Sequence, residues 1–206
     1  MIAVIDYGVG NLFSLTASLR YLGAEVKVTG EKKDIEAAER IILPGVGAFA
    51  DAKKKLDQTG LVDTILEQTE NGKPLLGICL GMQLLFEESH EYGVHKGLGL
   101  IKGTIASIDA DLKSAGIEGL KVPHIGWNAL EFDSQEPLFR YNKPGDHVYY
   151  VHSFYGKDCE ESTIAVSQYG IPITGAVRSG EVYGTQVHPE KSGEAGLNIL
   201  KAFMEV

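Results

Sequence analysis

The sequence predicts an α/β fold: a central, mostly parallel sheet flanked by helices, with an antiparallel extension in its second half. Three observations predict it. In the first half, short apolar runs alternate with amphipathic stretches, the pattern of strands buried on both faces and covered by helices. In the second half, short strand-like segments follow one another with only turns between them, as antiparallel strands do. No repeat, low-complexity segment or flexible linker interrupts the 206 residues, which suit one well-filled core, so a single domain over residues 1–206 is expected.

The elements follow in order. Ile2–Asp6 is apolar and short enough for a buried strand, and the turn-rich Tyr7-Gly-Val-Gly10 follows it. Asn11 stands where a cap belongs, ahead of a helix running to about Leu22 with Leu12, Leu15, Leu19 and Leu22 on one stripe. Gly23 ends it, Glu25–Thr29 is the second strand, and a short polar helix leads to a third, Arg40–Leu43, which closes in Pro-Gly-Val-Gly. Ala48–Gln58 and Leu61–Asn71 are helical by pattern, and Pro74–Ile78 is a strand entering a helix near Leu80. Beyond it the expected strands are Ile101–Ile108, Ala129–Phe132, His147–His152, Thr163–Tyr169, Thr174–Arg178 and Val182–Val187. Glu194–Met204 closes the series as an amphipathic helix.

Bulk chemistry narrows the function. With 44% hydrophobic and 23% charged residues the composition is that of a globular protein. Its 28 acids against 19 bases leave a formal charge of -9, a surface that repels a polyanion on average and argues against nucleic-acid binding. The N-terminal run lacks the basic region and cleavage site of a signal peptide. No apolar stretch approaches the roughly 20 residues needed to span a bilayer. Cys79 and Cys159 sit in different contexts, one apolar and Gly-flanked, the other among charges. An unpaired state and a reducing, cytoplasmic home are therefore expected.

The most informative stretch is Pro74-Leu-Leu-Gly-Ile-Cys79-Leu-Gly-Met-Gln83. A strand runs into Gly77-Ile-Cys79-Leu-Gly81 and leaves as a helix, the thiol counterpart of the Gly-x-Ser-x-Gly nucleophile elbow. So sharp a reversal crowds the backbone, which is why glycine flanks the nucleophile. A cysteine at a helix start has its thiolate favoured by free N–H groups and the helix dipole, and the Leu80 N–H is placed to donate to an oxyanion. Most free cysteines are only small buried hydrophobes; strand before, helix after and glycines on both sides set this one apart. Gln83 and then Glu87 are expected on the same helix face as Cys79, one turn apart, with Leu80, Leu84 and Leu85 on the buried side. A polar residue one turn from a nucleophile suits a polar substrate, although alone it would read as a solvated helix face.

A base is available in Gly184-Thr-Gln-Val-His188-Pro-Glu190-Lys-Ser192. In extended backbone, positions i and i+2 face the same way, so Glu190 can hold one ring nitrogen of His188 while the other faces a thiol. With six histidines in the chain, this pair gains weight only beside the elbow. Pro44-Gly-Val-Gly-Ala-Phe49 follows the third strand and offers N–H groups around Val46 for a phosphate or for a second oxyanion donor. It lacks the Lys-Ser/Thr ending of a Walker loop. Scattered histidines, no Cys-x-x-Cys and no dinucleotide fingerprint favour chemistry with no metal and no cofactor.

Taken together, Gly77-Ile-Cys79-Leu-Gly81-Met-Gln83 and His188-Pro-Glu190 resemble, in order and spacing, the triad of the class I glutamine amidotransferases. Five segments narrow the resemblance to the glutaminase subunits of imidazole glycerol phosphate synthases. They are Asp6-Tyr-Gly-Val-Gly-Asn-Leu12, Pro44-Gly-Val-Gly-Ala-Phe49, Pro123-His-Ile-Gly-Trp-Asn128, Tyr149-Tyr-Val-His-Ser-Phe-Tyr155 and Gly184–Ser192. The resemblance spans essentially the whole chain and implies that family's fold. It implies that Cys79 attacks the side-chain amide of glutamine to give a thioester, with His188 moving the proton and Glu190 orienting it. It implies that N–H groups around Val46–Gly47 and at Leu80 hold the oxyanion, and that Gln83, Glu91, Ser153 and Phe154 grip glutamine. The same resemblance implies that ammonia passes to a (β/α)8-barrel cyclase subunit in a heterodimer; such a barrel typically needs about 250 residues, for which this chain has no room. Asn11, Trp127 and Lys191, in or beside the matching motifs, would border that partner.

Other readings remain at this point. Another class I glutaminase, such as one feeding pyridoxal phosphate synthesis, shares the triad but not the Ile-Gly-Trp-Asn and His-Ser-Phe-Tyr segments. A cysteine peptidase or γ-glutamyl hydrolase would act on peptides without a partner. A binding protein with an inactive elbow fits poorly with an intact Cys-His-Glu set.

Overall fold

Side chains of the first strands point alternately into two separate cores, as a sheet covered on both faces requires. In the computed structural model, which describes residues 1–206, Ile41 and Leu43 enter one core while Ile42 between them enters the other. The strands β1 (Ile2–Ile5), β2 (Val26–Thr29), β3 (Arg40–Gly45) and β4 (Leu75–Cys79) alternate with α1 (Leu12–Tyr21), α2 (Lys32–Ala37), α3 (Phe49–Thr59) and α4 (Val62–Glu70). A short α5 (Leu80–Leu84) grows directly from β4. Next come β5 (Phe86–Ser89), β6 (His95–Lys96), β7 (Ile101–Ser107), α6 (Ile108–Ser114), β8 (His124–Phe132), β9 (Asp146–His152) and β10 (Phe154–Lys157). The chain finishes with β11 (Thr163–Tyr169), β12 (Ile171–Ser179), β13 (Val182–Thr185) and α7 (Gly193–Phe203).

Nine strands form the main sheet, in the order β2-β1-β3-β4-β13-β12-β11-β8-β9. The pairs from β2 to β13 are parallel and those from β13 to β9 antiparallel. This is the mixed sheet expected. One core holds Leu15 and Leu19 of α1 with Ile199, Leu200 and Phe203 of α7. The other holds Phe49, Ala52 and Leu56 of α3, Leu61 and Ile65 around α4, and Met82 and Leu84 of α5. A second sheet, β10-β7-β5-β6, packs Phe86, Ile101 and Ile105 into that same core. No helix is long and apolar enough to cross a membrane.

The structure corrects several expectations. Asn11 occupies the N-cap position of α1, but its side chain makes no capping bond. The helix after Cys79 ends at Leu84, so Glu87 lies on β5 and not on a helix face with Gln83. The reason is pairing: carbonyls of Leu84, Leu85 and Phe86 accept N–H groups from Leu98, Leu100 and Gly99, which draws the chain into a strand. Glu87 instead accepts the Gly103 N–H. The strand expected over Ile101–Ile108 yields to α6 at Ile108, where Ser107 caps by accepting the Ala110 N–H. β8 begins at His124, five residues ahead of the expected Ala129, because pairing with β9 continues to the His124–His152 register position.

Candidate active site

Parallel register brings the essential segments to one end of the sheet. Gly45 on β3 lies across from Cys79 on β4, and Thr185 on β13 lies across from Ile78. The loop after β3, the helix start after β4 and the turn after β13 therefore open at the same carboxyl edge, where open α/β sheets hold their sites.

Cys79 adopts φ 53 and ψ −111, a conformation that ordinary side chains avoid. The turn is tight enough to exclude any Cβ at its flanks. A Cβ on Gly77 would lie 2.7 Å from the Gly81 oxygen, and one on Gly81 would lie 1.8 Å from the Leu43 oxygen. Leu80 opens α5 and leaves its N–H free of intrahelical partners beside the sulfur. Gly47, at φ +95, lets the loop after β3 turn past the sulfur with Val46 40% exposed. Tyr7 anchors that loop from beneath by donating its hydroxyl to the Pro44 oxygen at 2.7 Å.

His188 Nδ1 meets Glu190 Oε1 at 2.9 Å, with both side chains 3% exposed. The contact was expected from extended backbone, but a 3-10 turn over Pro189–Lys191 makes it instead. Ser192 locks this turn to β9: its hydroxyl donates to the His188 oxygen at 2.7 Å and accepts the Tyr149 N–H at 2.9 Å. Burial, the largest influence on His188, favours the neutral ring. Hydrogen bonds and charge from Cys79 and Glu190 together outweigh it and raise the pKa to about 9. Cys79 and Glu190 thus both favour the protonated ring.

These groups face a pocket of about 340 Å³. Of the residues predicted from the sequence, Val46, Gly47, Cys79, Leu80, Gln83, Glu91, Ser153, Phe154, His188 and Lys191 line it. Glu190 stands behind His188. Asn11 and Trp127 lie outside the lining, although Trp127 packs edge-on against Tyr149, whose ring also sits under the Lys191 ammonium. Tyr92, Pro123, Val151 and His152 line the pocket without having been anticipated.

A buried polar network backs the pocket. Gln83 donates to the Phe154 carbonyl at 3.1 Å and to Gln186 Oε1 at 3.0 Å, and Gln186 Nε2 lies 3.6 Å from Cys79 Sγ. From the other side, His152 Nδ1 lies 2.8 Å from the same Phe154 oxygen, and His152 Nε2 lies 3.0 Å from His124 Nδ1. Burial drives both histidines neutral, with pKa about 4 for His124 and about 3 for His152. The tautomers follow, since a carbonyl can only accept: His152 carries its proton on Nδ1, and His124 donates from Nδ1. Gln186 and the histidine pair escaped sequence reasoning; the adjoining Gly184 and His188 were the only local hint of Gln186.

This arrangement can perform acyl transfer: a thiol on a strained turn, an oriented acid-base lining the same pocket, and the Leu80 N–H at the helix start beside the sulfur. The sequence model of the family described as glutamine amidotransferase class-I matches residues 3–206. The chain is 47% identical, over its whole length and 97% of the relative's, to the Geobacillus kaustophilus protein named imidazole glycerol phosphate synthase subunit HisH. It is 48% identical to the protein of that name from Bacillus cereus, covering all of this chain and 95% of the relative. Among solved structures, a crystal structure titled glutamine amidotransferase superposes with a TM-score of 0.75 at 20% identity, covering 100% of this chain and 98% of that one. The structure of PurLQS from Thermotoga maritima gives 0.76 at 20% identity, over 99% and 97% of the two chains. At that identity these two speak for the fold alone.

Proposed function

The chain belongs to the class-I glutamine amidotransferase family, and from that premise we propose that its single domain, residues 1–206, releases ammonia from glutamine at Cys79. It is the glutaminase subunit of an imidazole glycerol phosphate synthase and works in histidine biosynthesis. The observation that carries the mechanism is the grouping of Cys79, the Leu80 N–H and the His188–Glu190 pair around one pocket.

Cys79 attacks the amide carbon of glutamine as the thiolate, its proton held by His188. The carbonyl oxygen becomes an oxyanion held by the N–H of Leu80 and by an N–H of the Val46–Gly47 loop. His188 gives its proton to the departing nitrogen, and ammonia leaves a thioester on Cys79. The ring, now neutral, takes a proton from water, which attacks the thioester through a second oxyanion. Glutamate leaves, and thiolate and imidazolium are restored. Glu190 keeps its carboxylate against Nδ1 throughout, fixing the ring and favouring the cation. Gln83, Glu91, Ser153 and Phe154 form the wall that holds glutamine, and no metal or cofactor is assigned a part.

We assign the partner as a (β/α)8-barrel cyclase in a heterodimer that works in the cytoplasm. Asn11, Trp127 and Lys191 form the rim that meets it. Support comes from Trp127, 55% exposed, and Lys191, which both meet the Tyr149 ring, Lys191 also lining the pocket. The test is glutamate release with and without the barrel subunit and its nucleotide ligand, for the native chain and Cys79→Ala. Activity that rises with the partner and vanishes in the mutant supports both assignments. Silence of the native chain in every mixture overturns them.

A further inference from the structure

The side chain of Gln186 is completely buried, and its orientation is dictated from a distance. Phe154 contributes a backbone carbonyl, an obligate acceptor, so Gln83 must turn its amide nitrogen toward it. The second N–H of that nitrogen points at Gln186, which must answer with its oxygen. Only the Gln186 nitrogen is then left to face Cys79 Sγ, 3.6 Å away. No flip of either amide satisfies the set, because each reversal would bring two donors or two acceptors together in a buried site. The backbone of Gln186 is pinned as well, its N–H donating to the Gly175 oxygen at 2.8 Å.

We propose that Gln186 is a positioning residue that presents a fixed N–H to the Cys79 sulfur, holding it for attack and stabilising it as the anion. This rests on Cys79 being the nucleophile proposed above. The sulfur then stands between two donors of different kinds. His188 lends a charge and moves its proton during the reaction, whereas the Gln186 amide neither gains nor loses one. When the thioester forms and the sulfur loses its charge, the N–H···S bond weakens, and it strengthens again as the thiolate leaves in the second step. The other titratable groups near the sulfur are His188 with Glu190 behind it, Tyr7 just beyond β1, and His152, Glu91, Tyr92 and Lys191 around the pocket. Substitution at Gln186 leaves all of them in place.

The test reads the thiol itself and needs no glutamine. Alkylation of the full chain by iodoacetamide is followed against pH, with peptide mapping to separate Cys79 from Cys159. Gln186→Met keeps length and bulk but removes the donor. Gln186→Glu keeps shape and replaces the donor with an oxygen. The expected result is a midpoint for Cys79 raised by about one unit in Gln186→Met, with about tenfold slower labelling at pH values below the native midpoint. A larger rise is expected in Gln186→Glu. Either variant, if it melts cooperatively, decides the matter: a midpoint equal to the native one overturns the proposal. Loss of the folded state in both also overturns it, since Gln186 would then be structural. A shifted midpoint in a chain without glutaminase activity would leave this inference standing while removing the functional reading.

Discussion

The carboxylate of Glu91 accepts the backbone N–H of Phe49, the first residue of α3. An acid from the loop after β5 thus caps the helix that follows the Pro44–Ala48 loop, and the same acid lines the pocket. Loop and pocket wall are tied through one side chain.

That double duty separates two substitutions. Glu91→Gln retains an acceptor for Phe49 but loses the charge that would meet the ammonium of an amino-acid substrate. It is expected to raise the KM for glutamine about tenfold or more with little change in Tm. Glu91→Ala loses the cap as well, which costs about 1 kcal/mol, or roughly 2–4 °C in a domain of this size. Saturation curves and melting curves check both; an unchanged KM in Glu91→Gln removes Glu91 from the binding role.

A raised imidazolium pKa makes stability depend on pH. Folding lifts His188 from 6.5 to about 9, so the folded chain holds a proton that the unfolded chain releases across that interval. The contribution is fully present below pH 6.5 and is lost as pH rises through about 9. Glu190→Gln weakens one of the two partners responsible. Urea unfolding at pH 6 and pH 10 is expected to give a larger gap between native and variant at pH 6; a gap that widens toward pH 10 would contradict the assignment.

At the elbow, Gly81→Ala forces a Cβ against the Leu43 carbonyl, which belongs to a central strand and cannot yield. The variant is expected to lose about 3 kcal/mol or more of stability and to cut turnover at least a hundredfold. Chemical denaturation and glutamine hydrolysis measure the two effects. A variant with native stability would mean that the turn is looser than described.

Charge reversal at Lys191 addresses the rim. Because this side chain is exposed and lies over Tyr149, Lys191→Glu is expected to leave the fold intact and weaken partner assembly by about fivefold or more at low salt, less as salt rises. Titration by calorimetry at two ionic strengths is the measurement. Unchanged assembly together with unchanged stimulation would refute the placement.

What was legible in the sequence was what is local. Cys79 between two glycines, and Glu190 two residues from His188, are short-range patterns whose chemistry can be read from neighbours alone. Gln186 was not legible, because a glutamine between Thr185 and Val187 looks like any edge of a strand. Its meaning comes from Gln83 and Cys79, more than a hundred residues away. Phe86–Ser89 misled for a related reason: the run from Leu80 has helical spacing, and only hydrogen bonds with residues 97–101 and pairing with β7 turn it into a strand. The His124–His152 pair depended on strand register, which a pattern search does not supply.

β13 has one parallel neighbour and one antiparallel neighbour, and it is the strand that carries the chain to His188. During synthesis on a ribosome, the thiol emerges long before the residues proposed to activate it. Until β13 slots between β4 and β12, the nascent chain has neither its proton carrier nor Gln186. On the roles proposed for these residues, partial translation products would carry an unassisted cysteine, and hydrolytic competence would arise only with the closing of the sheet.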